Sequence, residues 1–296
     1  MVADIHGILL LDKPLGVSSA GAVARVKRLF GARKAGHTGS LDPLASGMLP
    51  ICFGEATKFG AQLLDADKTY RVTTRLGERT ASGDRESDVI EKRELPAFSV
   101  QQLARALADF PREYPQVPPM HSAIKQDGRP LYEYARAGLT RERAARAIVI
   151  HEMMLLDWQA PDVTFDVRSS KGAYIRVLAE DLAAQLGTVA HLTGLRRLGV
   201  TPFEAERQWT FAALEALTPL ERLEALLPVD AALAQWPRLD LPVGGVAALR
   251  QGQTVSIPVE MPGNVRIYAA GLGFLGLGAI EPAGRLVPLR LISNPA

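Results

Sequence analysis

The amino-acid sequence predicts an α+β protein built on a mixed, largely antiparallel sheet, with a small β-rich module at its C-terminal end. Three observations predict it. Segments that alternate as strands, such as "KTYRVTTRLG" and "VTFDVRSS", are interleaved with helical stretches without strict strand–helix repetition. Near Leu227 to Pro242 the text becomes "LPVDAALAQWPRLDLP", proline-rich and without periodicity, which marks a domain boundary. Beyond it the chain is Gly-rich and short-stranded. A length of 296 residues is near the point where one core stops growing and a second unit appears. The expected division is 1–236 and 237–296.

Element by element, "GILLLDKP" predicts a strand ended by Pro14. "VSSAGAVARVKRLFG" predicts a helix capped by Ser18 or Ser19, with Val23, Val26 and Phe30 at helical spacing and Gly31 as its stop. "LPICFG" predicts a short strand and "EATKFGAQLLDA" a helix. "KTYRVTTRLG" predicts a strand and "SVQQLARALADF" a helix. A proline-rich passage, "PREYPQVPPM", leads into a basic, partly helical segment ending near Arg146. "AIVIHEMMLLDW" and "VTFDVRSS" predict paired strands, "AYIRVLAEDLAAQLG" a helix closed by Gly187, and "HLTGLRRLGVTPF" a strand.

Composition narrows the function. The hydrophobic share is 47% and the charged share 22%, an ordinary globular balance, and no apolar run approaches the roughly 20 residues that span a bilayer. The opening "MVADIHGILLLDKP" lacks the pattern of an export signal, and one cysteine, Cys52, excludes an internal disulfide. The expected compartment is a reducing cytoplasm. "GLGFLG" at Gly271 matches a dinucleotide fingerprint, but Pro282 and Gly284 follow where a long helix is needed, so a tight β passage is expected. No P-loop, H-E-x-x-H pair or G-x-S-x-G elbow occurs, and the five histidines are scattered, which leaves no residue set for a cofactor or a metal. His151 and His191 are expected to be structural or surface residues. Net charge is only +2, but between Asp12 and Asp42 there is no acidic residue, while Lys13, Arg25, Lys27, Arg28, Arg33 and Lys34 fall there. Such a run is either a solvated helix face or a phosphate-binding surface.

That run leads into "GHTGSLDPLASGMLP", Gly36 to Pro50, where a single carboxylate, Asp42, stands among glycines and prolines. Pro43 restrains the backbone beside it, and Gly36, Gly39 and Gly47 let the main chain take unusual angles and a ligand come close. An acid in a loop is ordinarily a turn former or cap; the conformationally special surroundings and the basic approach make this one a candidate for chemistry.

With its extension "ICFGEATKF", this stretch closely resembles the signature of the bacterial tRNA pseudouridine-55 synthases, the TruB family. "LLLDKPLGVSS", "DKTYRVTTRLGERT", "VPPMHSAIKQDGRPLYEYARAG" and "SSKGAYIRVLAEDLAAQLGTVAHLTGLRRLGVTPF" resemble further family blocks in the same order. The resemblance is strong over about residues 5 to 210, and the C-terminal part is similar to the PUA-type RNA-binding module of the family. It implies a pseudouridine-synthase catalytic domain over 1–236, with an RNA-binding insertion at about 111–146, and a PUA-like domain over 237–296.

The resemblance also implies the reaction and its residues. Uridine 55 of the TΨC arm of tRNA is isomerised to pseudouridine with no cofactor and no metal. The base is flipped out, the N1–C1′ bond breaks, the base turns, and C5 bonds to C1′. Asp42 is implied as the essential group, whether it attacks C1′, attacks C6 or forms a glycal. Tyr70 is implied to stack on the flipped base and to assist C5 deprotonation, and Arg176 to pair with Asp42. Tyr174 and Leu195 are implied to line the uracil pocket and His37 to contact the RNA. Lys13 and Pro14 match a block that supports the Asp42 loop. His121 stands where the family usually has tyrosine. Lys125, Arg129, Arg136 and Arg141 are implied phosphate contacts. The expected partner is the tRNA TΨC stem-loop, bound by a monomer away from any membrane. The alternative is a tRNA-binding or tRNA-folding protein of the same architecture without chemistry.

Overall fold

A computed structural model describes residues 4–258 and 262–293. Its centre is an eight-stranded sheet. The strands are β1 (Gly7–Lys13), β2 (Ala35–His37), β3 (Ala45–Phe53), β4 (Lys68–Leu76), β5 (Glu113–Gln116), β6 (Arg146–Gln159), β7 (Asp162–Ser169) and β8 (Ala190–Val200). The order across the sheet is β1-β3-β8-β4-β7-β6-β5, with β2 also paired to β3. Only the β3–β8 pairing is parallel; the others are antiparallel, so the expected mixed, largely antiparallel sheet is what forms.

Period-2 alternation decides what each face of the sheet meets. Leu9, Leu11, Leu49, Ile51, Phe53, Val72 and Leu192 point to one face. There they meet Ala22, Val26 and Phe30 of α1 (Ser19–Phe30), Leu103 and Leu107 of α2 (Val100–Ala108), and Leu178, Ala179, Leu182 and Ala183 of a later helix, Ile175–Gln185. Ile8, Leu10, Met48 and Cys52 point to the opposite face. The caps follow the sequence: Ser18 accepts from the Gly21 N–H, Gly31 ends α1 at φ 64°, and Ser99 with Gln102 forms a capping box.

Several expectations needed correction. The β3 strand starts at Ala45, inside the glycine-rich loop, because Gly47 lets β8 lie against it: a Cβ there would stand 2.2 Å from the Arg197 carbonyl oxygen, and φ is 99°. Gly36 lies in β2 without a left-handed φ, so of the three glycines only Gly39 and Gly47 use that freedom. "EATKFGAQLLDA" forms a 3-10 turn, Gly54–Phe59, followed by a five-residue helix, Gly60–Leu64. In the basic segment only α3 (Leu131–Arg136) is helical; Ile175–Gln185 is therefore α4. The ends of that segment are paired: β5 runs antiparallel to the start of β6, Gln116 opposite Arg146.

The C-terminal residues form a separate five-stranded sheet from Arg238–Leu241, Val255–Ser256, Gly263–Ala269, Gly273–Glu281 and Arg285–Leu291, with one helix, Val243–Arg250. "GLGFLG" is a turn running into a strand there. This sheet has its own core around Leu249, Ile267 and Leu286. It is also joined to the eight-stranded sheet: Phe274, Leu277 and Ile292 pack with Ile8, Leu10, Phe59 and Leu63. No helix among the described residues is long and apolar enough to cross a membrane.

Candidate active site

Asp42 lies in the loop between β2 and β3, after the end of α1. Its backbone is held from two sides. The Ser19 hydroxyl at the start of α1 bonds both the Leu41 N–H, at 2.8 Å, and the Leu41 carbonyl, at 2.9 Å. The Gly16 N–H donates to the Pro43 carbonyl at 2.8 Å. The carboxylate remains free to meet a ligand, its side chain 44% exposed. Behind it, Arg176 in the first turn of α4 reaches Asp42 Oδ2 through Nη2 at 3.0 Å while staying 7% exposed. The same guanidinium donates to the carbonyls of Ser82 at 2.9 Å and His121 at 2.6 Å, and its Nε stands 3.8 Å from Asp84 Oδ2. Arg176 is thus locked before any substrate arrives, and its fixed guanidinium holds the Asp42 carboxylate in place.

At His121 it is the backbone carbonyl, not the ring, that holds Arg176, a contact that does not depend on which side chain stands there. Asp84 escaped sequence reasoning, since an acid in "SGDRESD" reads as a solvated loop. It is buried, accepts from the Ser82 hydroxyl and the Glu86 N–H, and gives Arg176 a second carboxylate. The two acids reach further: burial, Asp84 and Asp42 together push the Glu86 carboxyl up.

Tyr70, Tyr174 and Leu195 line the same cleft of about 320 Å³ as Asp42 and Arg176. Tyr70 is buried on β4. Tyr174 immediately precedes α4, its N–H and carbonyl bracketed by the amide of Gln116 at 2.7 and 3.2 Å; burial pushes its phenol up. Leu195 on β8 sits between Ala45 and Val72 as an aliphatic wall. His37 is not among them. It lines the adjoining outer cleft, which shares Asp42 and Arg176, and burial with the nearby Arg197 charge lowers its imidazole and keeps it neutral. The structure therefore gathers five of the six candidate residues around one cavity and places the sixth at its rim.

Two buried cations at this cavity were also missed. Lys68 gives its ammonium to the carbonyls of Leu63, Leu64 and Ala66. Arg197 donates to the carbonyls of Met48 and Gly39. The signal for Arg197 was available: in a strand, neighbours point to opposite faces, so of "RR" in "TGLRRLG" only one could be solvated. Arg196 faces outward in a bidentate pair with Asp12, and Arg197 faces the cleft.

The basic run between Asp12 and Asp42 resolves into two groups. Lys13 is fully buried and bonds the carbonyls of Pro14 and Val17; Arg25 pairs with Glu215 at 2.6 Å and covers the Phe211 ring. Lys27, Arg28, Arg33 and Lys34 stay exposed. In the insertion Lys125, Arg129 and Arg136 are exposed, whereas Arg141 stacks over Tyr134. His191 is buried against the Glu78 carbonyl and His151 meets Asp67 on the surface.

Comparison with known proteins places this geometry among relatives. Residues 27–175 match the family model described as TruB family pseudouridylate synthase, N terminal domain. Residues 176–234 match the tRNA pseudouridylate synthase B C-terminal domain, and 237–292 the model described as pseudouridine synthase II TruB, C-terminal. The tRNA pseudouridine synthase B of Sodalis glossinidius is 50% identical, with 99% of this chain and 96% of that protein covered. That of Chromohalobacter salexigens is 49% identical over 98% and 95%. Among solved structures, a Cbf5-Nop10-Gar1 complex matches at a TM-score of 0.73 and 24% identity, covering 98% of this chain and 85% of that one, a likeness of fold.

Proposed function

The chain belongs to the TruB family of pseudouridylate synthases and isomerises uridine to pseudouridine in tRNA, and from that premise we propose that its target is uridine 55 of the TΨC arm and that Asp42 is the group on which the chemistry turns. The observation that carries this reading is the half-exposed Asp42 carboxylate held 3.0 Å from a buried Arg176 in the cleft that also holds Tyr70, Tyr174 and Leu195. Breaking a glycosidic bond develops positive charge at C1′, which a fixed carboxylate stabilises or bonds. An isomerase keeps its leaving base, so it needs no second carboxyl group to serve water, unlike a glycosidase. Arg176 keeps Asp42 aimed, whichever of C1′, C6 or the 2′ proton it engages.

The remaining residues bind and shield the flipped base. Extruding a base from a folded arm costs a few kcal/mol, which Tyr70 offsets by stacking on the ring. Its hydroxyl assists the loss of the C5 proton. Tyr174 and Leu195 close the cavity around the ring and limit the water that reaches the sugar. His37, neutral at the rim, contacts the RNA beside the flipped nucleotide. Lys27, Arg28, Arg33 and Lys34, with Lys125, Arg129, Arg136 and Arg141 of the 111–146 insertion, meet the phosphates. The 237–296 unit adds RNA affinity. The reading is of a monomer acting on the stem-loop in the cytoplasm. The test is to incubate the purified protein with an unmodified tRNA transcript and map pseudouridine by carbodiimide-dependent primer extension. A stop at uridine 55 with unchanged RNA mass supports the reading. Conversion elsewhere refutes the site, and binding without conversion favours the non-catalytic alternative.

A further inference from the structure

Leu64 lines the catalytic cavity while 49% of its surface stays exposed. A leucine alone on a surface is ordinary, but this one stands at the cavity and is fixed there from three directions. It ends the helix Gly60–Leu64, and the preceding Leu63 is buried in the seam with the C-terminal sheet, in one cluster with Phe274, Leu277 and Ile292. The buried Lys68 ammonium donates to the carbonyls of Leu63, Leu64 and Ala66 at 3.3, 3.0 and 2.6 Å, which pins the turn that carries the side chain. On the other side Asp65 pairs with Lys171 at 3.1 Å, and Lys171 directly precedes Gly172 and Ala173, which line the same cavity. Burying an ammonium is costly, and here it is spent on holding a turn that contributes one apolar side chain to the cavity.

The reaction gives an apolar group at this place a task. Once the N1–C1′ bond has broken, the uracil ring turns until C5 faces C1′. Hydrogen bonds are directional, so those aimed at the first orientation are lost as the ring turns. Apolar contact has no preferred direction and survives the rotation. Tyr70 on β4 and Leu195 on β8 offer such contact from the sheet, and Leu64 offers it from a third element, the turn that leads into β4. We propose that Leu64 is a substrate-contact residue, the apolar lip that closes over the flipped uracil ring, keeps water from it and retains it while it turns. The half of the leucine left exposed is the half that the ring covers. The inference rests on the isomerase reading and deepens it by adding a residue that touches the ring.

The test compares Leu64→Ala and Leu64→Met with wild type on two TΨC stem-loops, one carrying the target uridine and one carrying an abasic residue in its place. Single-turnover conversion of the uridine stem-loop over a range of enzyme concentrations gives the maximal rate divided by the half-saturating concentration. Filter binding gives the affinity for the abasic stem-loop, which offers no ring. Leu64→Ala is expected to lower the ratio about tenfold, through the apolar burial that the exposed half of the leucine no longer gains. Leu64→Met keeps the apolar volume and is expected to stay within about threefold of wild type. Both variants are expected to bind the abasic stem-loop within about twofold of wild type, as an exposed substitution away from any contact should. An unchanged ratio in Leu64→Ala overturns the inference, as does a Met variant as poor as Ala. An equal loss on the abasic stem-loop also overturns it, and this comparison holds even where Leu64→Ala melts lower, because a weakened fold harms binding of both RNAs. Failure of the wild-type protein to convert the uridine stem-loop would instead strike the isomerase reading itself.

Discussion

At the scale of single residues, the two proposed roles of Tyr70 separate by substitution. Tyr70→Phe keeps the ring and loses the hydroxyl; Tyr70→Leu loses both. Stacking is worth about 1–3 kcal/mol per base, and acid–base assistance about 10²–10⁴-fold in rate. We expect Phe to bind tRNA normally and convert it slowly, and Leu to lose affinity as well; a Phe variant at near-wild-type single-turnover rate would leave Tyr70 a stacking platform only. The buried lysines make a second prediction. Burial lowers both Lys13 and Lys68 to about 8, whereas the unfolded chain keeps those protons up to about 10.4. Between pH 8 and 10 the unfolded state thus binds more protons, and raising pH favours the folded state through these groups. Melting temperatures across that range should respond less favourably to pH in Lys68→Met than in wild type; a more favourable response in the variant would contradict it. Asp42 was legible as a candidate because Pro43, the glycines and the basic approach set it apart from an ordinary turn former and the family resemblance singled it out. Asp84 and Lys68 were not, because a charged residue in a linear text reads as solvated until the carbonyls around it are known; Arg197 was readable only through the strand alternation that sets it opposite Arg196.

At the scale of elements, alternation along the strands made most of the sheet readable, and caps made α1 and α2 readable. What the text hid was which cations a fold consumes. Arg25 sits in the same basic run as Arg28, yet it is engaged by Glu215 and Phe211. Counterion release ties each phosphate contact to about one unit of slope in log affinity against log salt. Replacing Arg28 and Arg33 by alanine should therefore flatten the slope of tRNA binding by about one unit per lost contact, while Arg25→Ala leaves it in place. Equal flattening by all three would show that the Glu215 pair opens to RNA. The short helix Gly60–Leu64 was read too long for a related reason: Leu63 is needed in the seam with the C-terminal sheet, and a long-range contact, not local propensity, sets its limits.

For the whole molecule, the second unit is more than an appendage. Phe274 meets Phe59 edge-on at 5.6 Å, Lys58 bonds the Leu291 carbonyl, and Arg266 pairs with Asp230 at 2.9 Å across the joint. The sequence suggested a clean cut near Pro237; the apolar seam beneath it shows only when strands distant in the chain meet. Removing residues from 237 onward should lower the melting temperature by exposing Phe59 and Leu63, and should weaken tRNA binding more than it slows conversion of bound tRNA. A truncated chain that binds tRNA normally but cannot convert it would contradict this division.

The most direct measurement is single-turnover conversion of an unmodified tRNA transcript by Asp42→Asn, alongside its tRNA affinity. The amide keeps the size of the side chain, and Arg176 retains Asp84 and the carbonyls of Ser82 and His121, so the site should stay assembled. We predict normal binding and melting with no detectable pseudouridine. Conversion by the Asn variant within tenfold of wild type would contradict the assignment of Asp42.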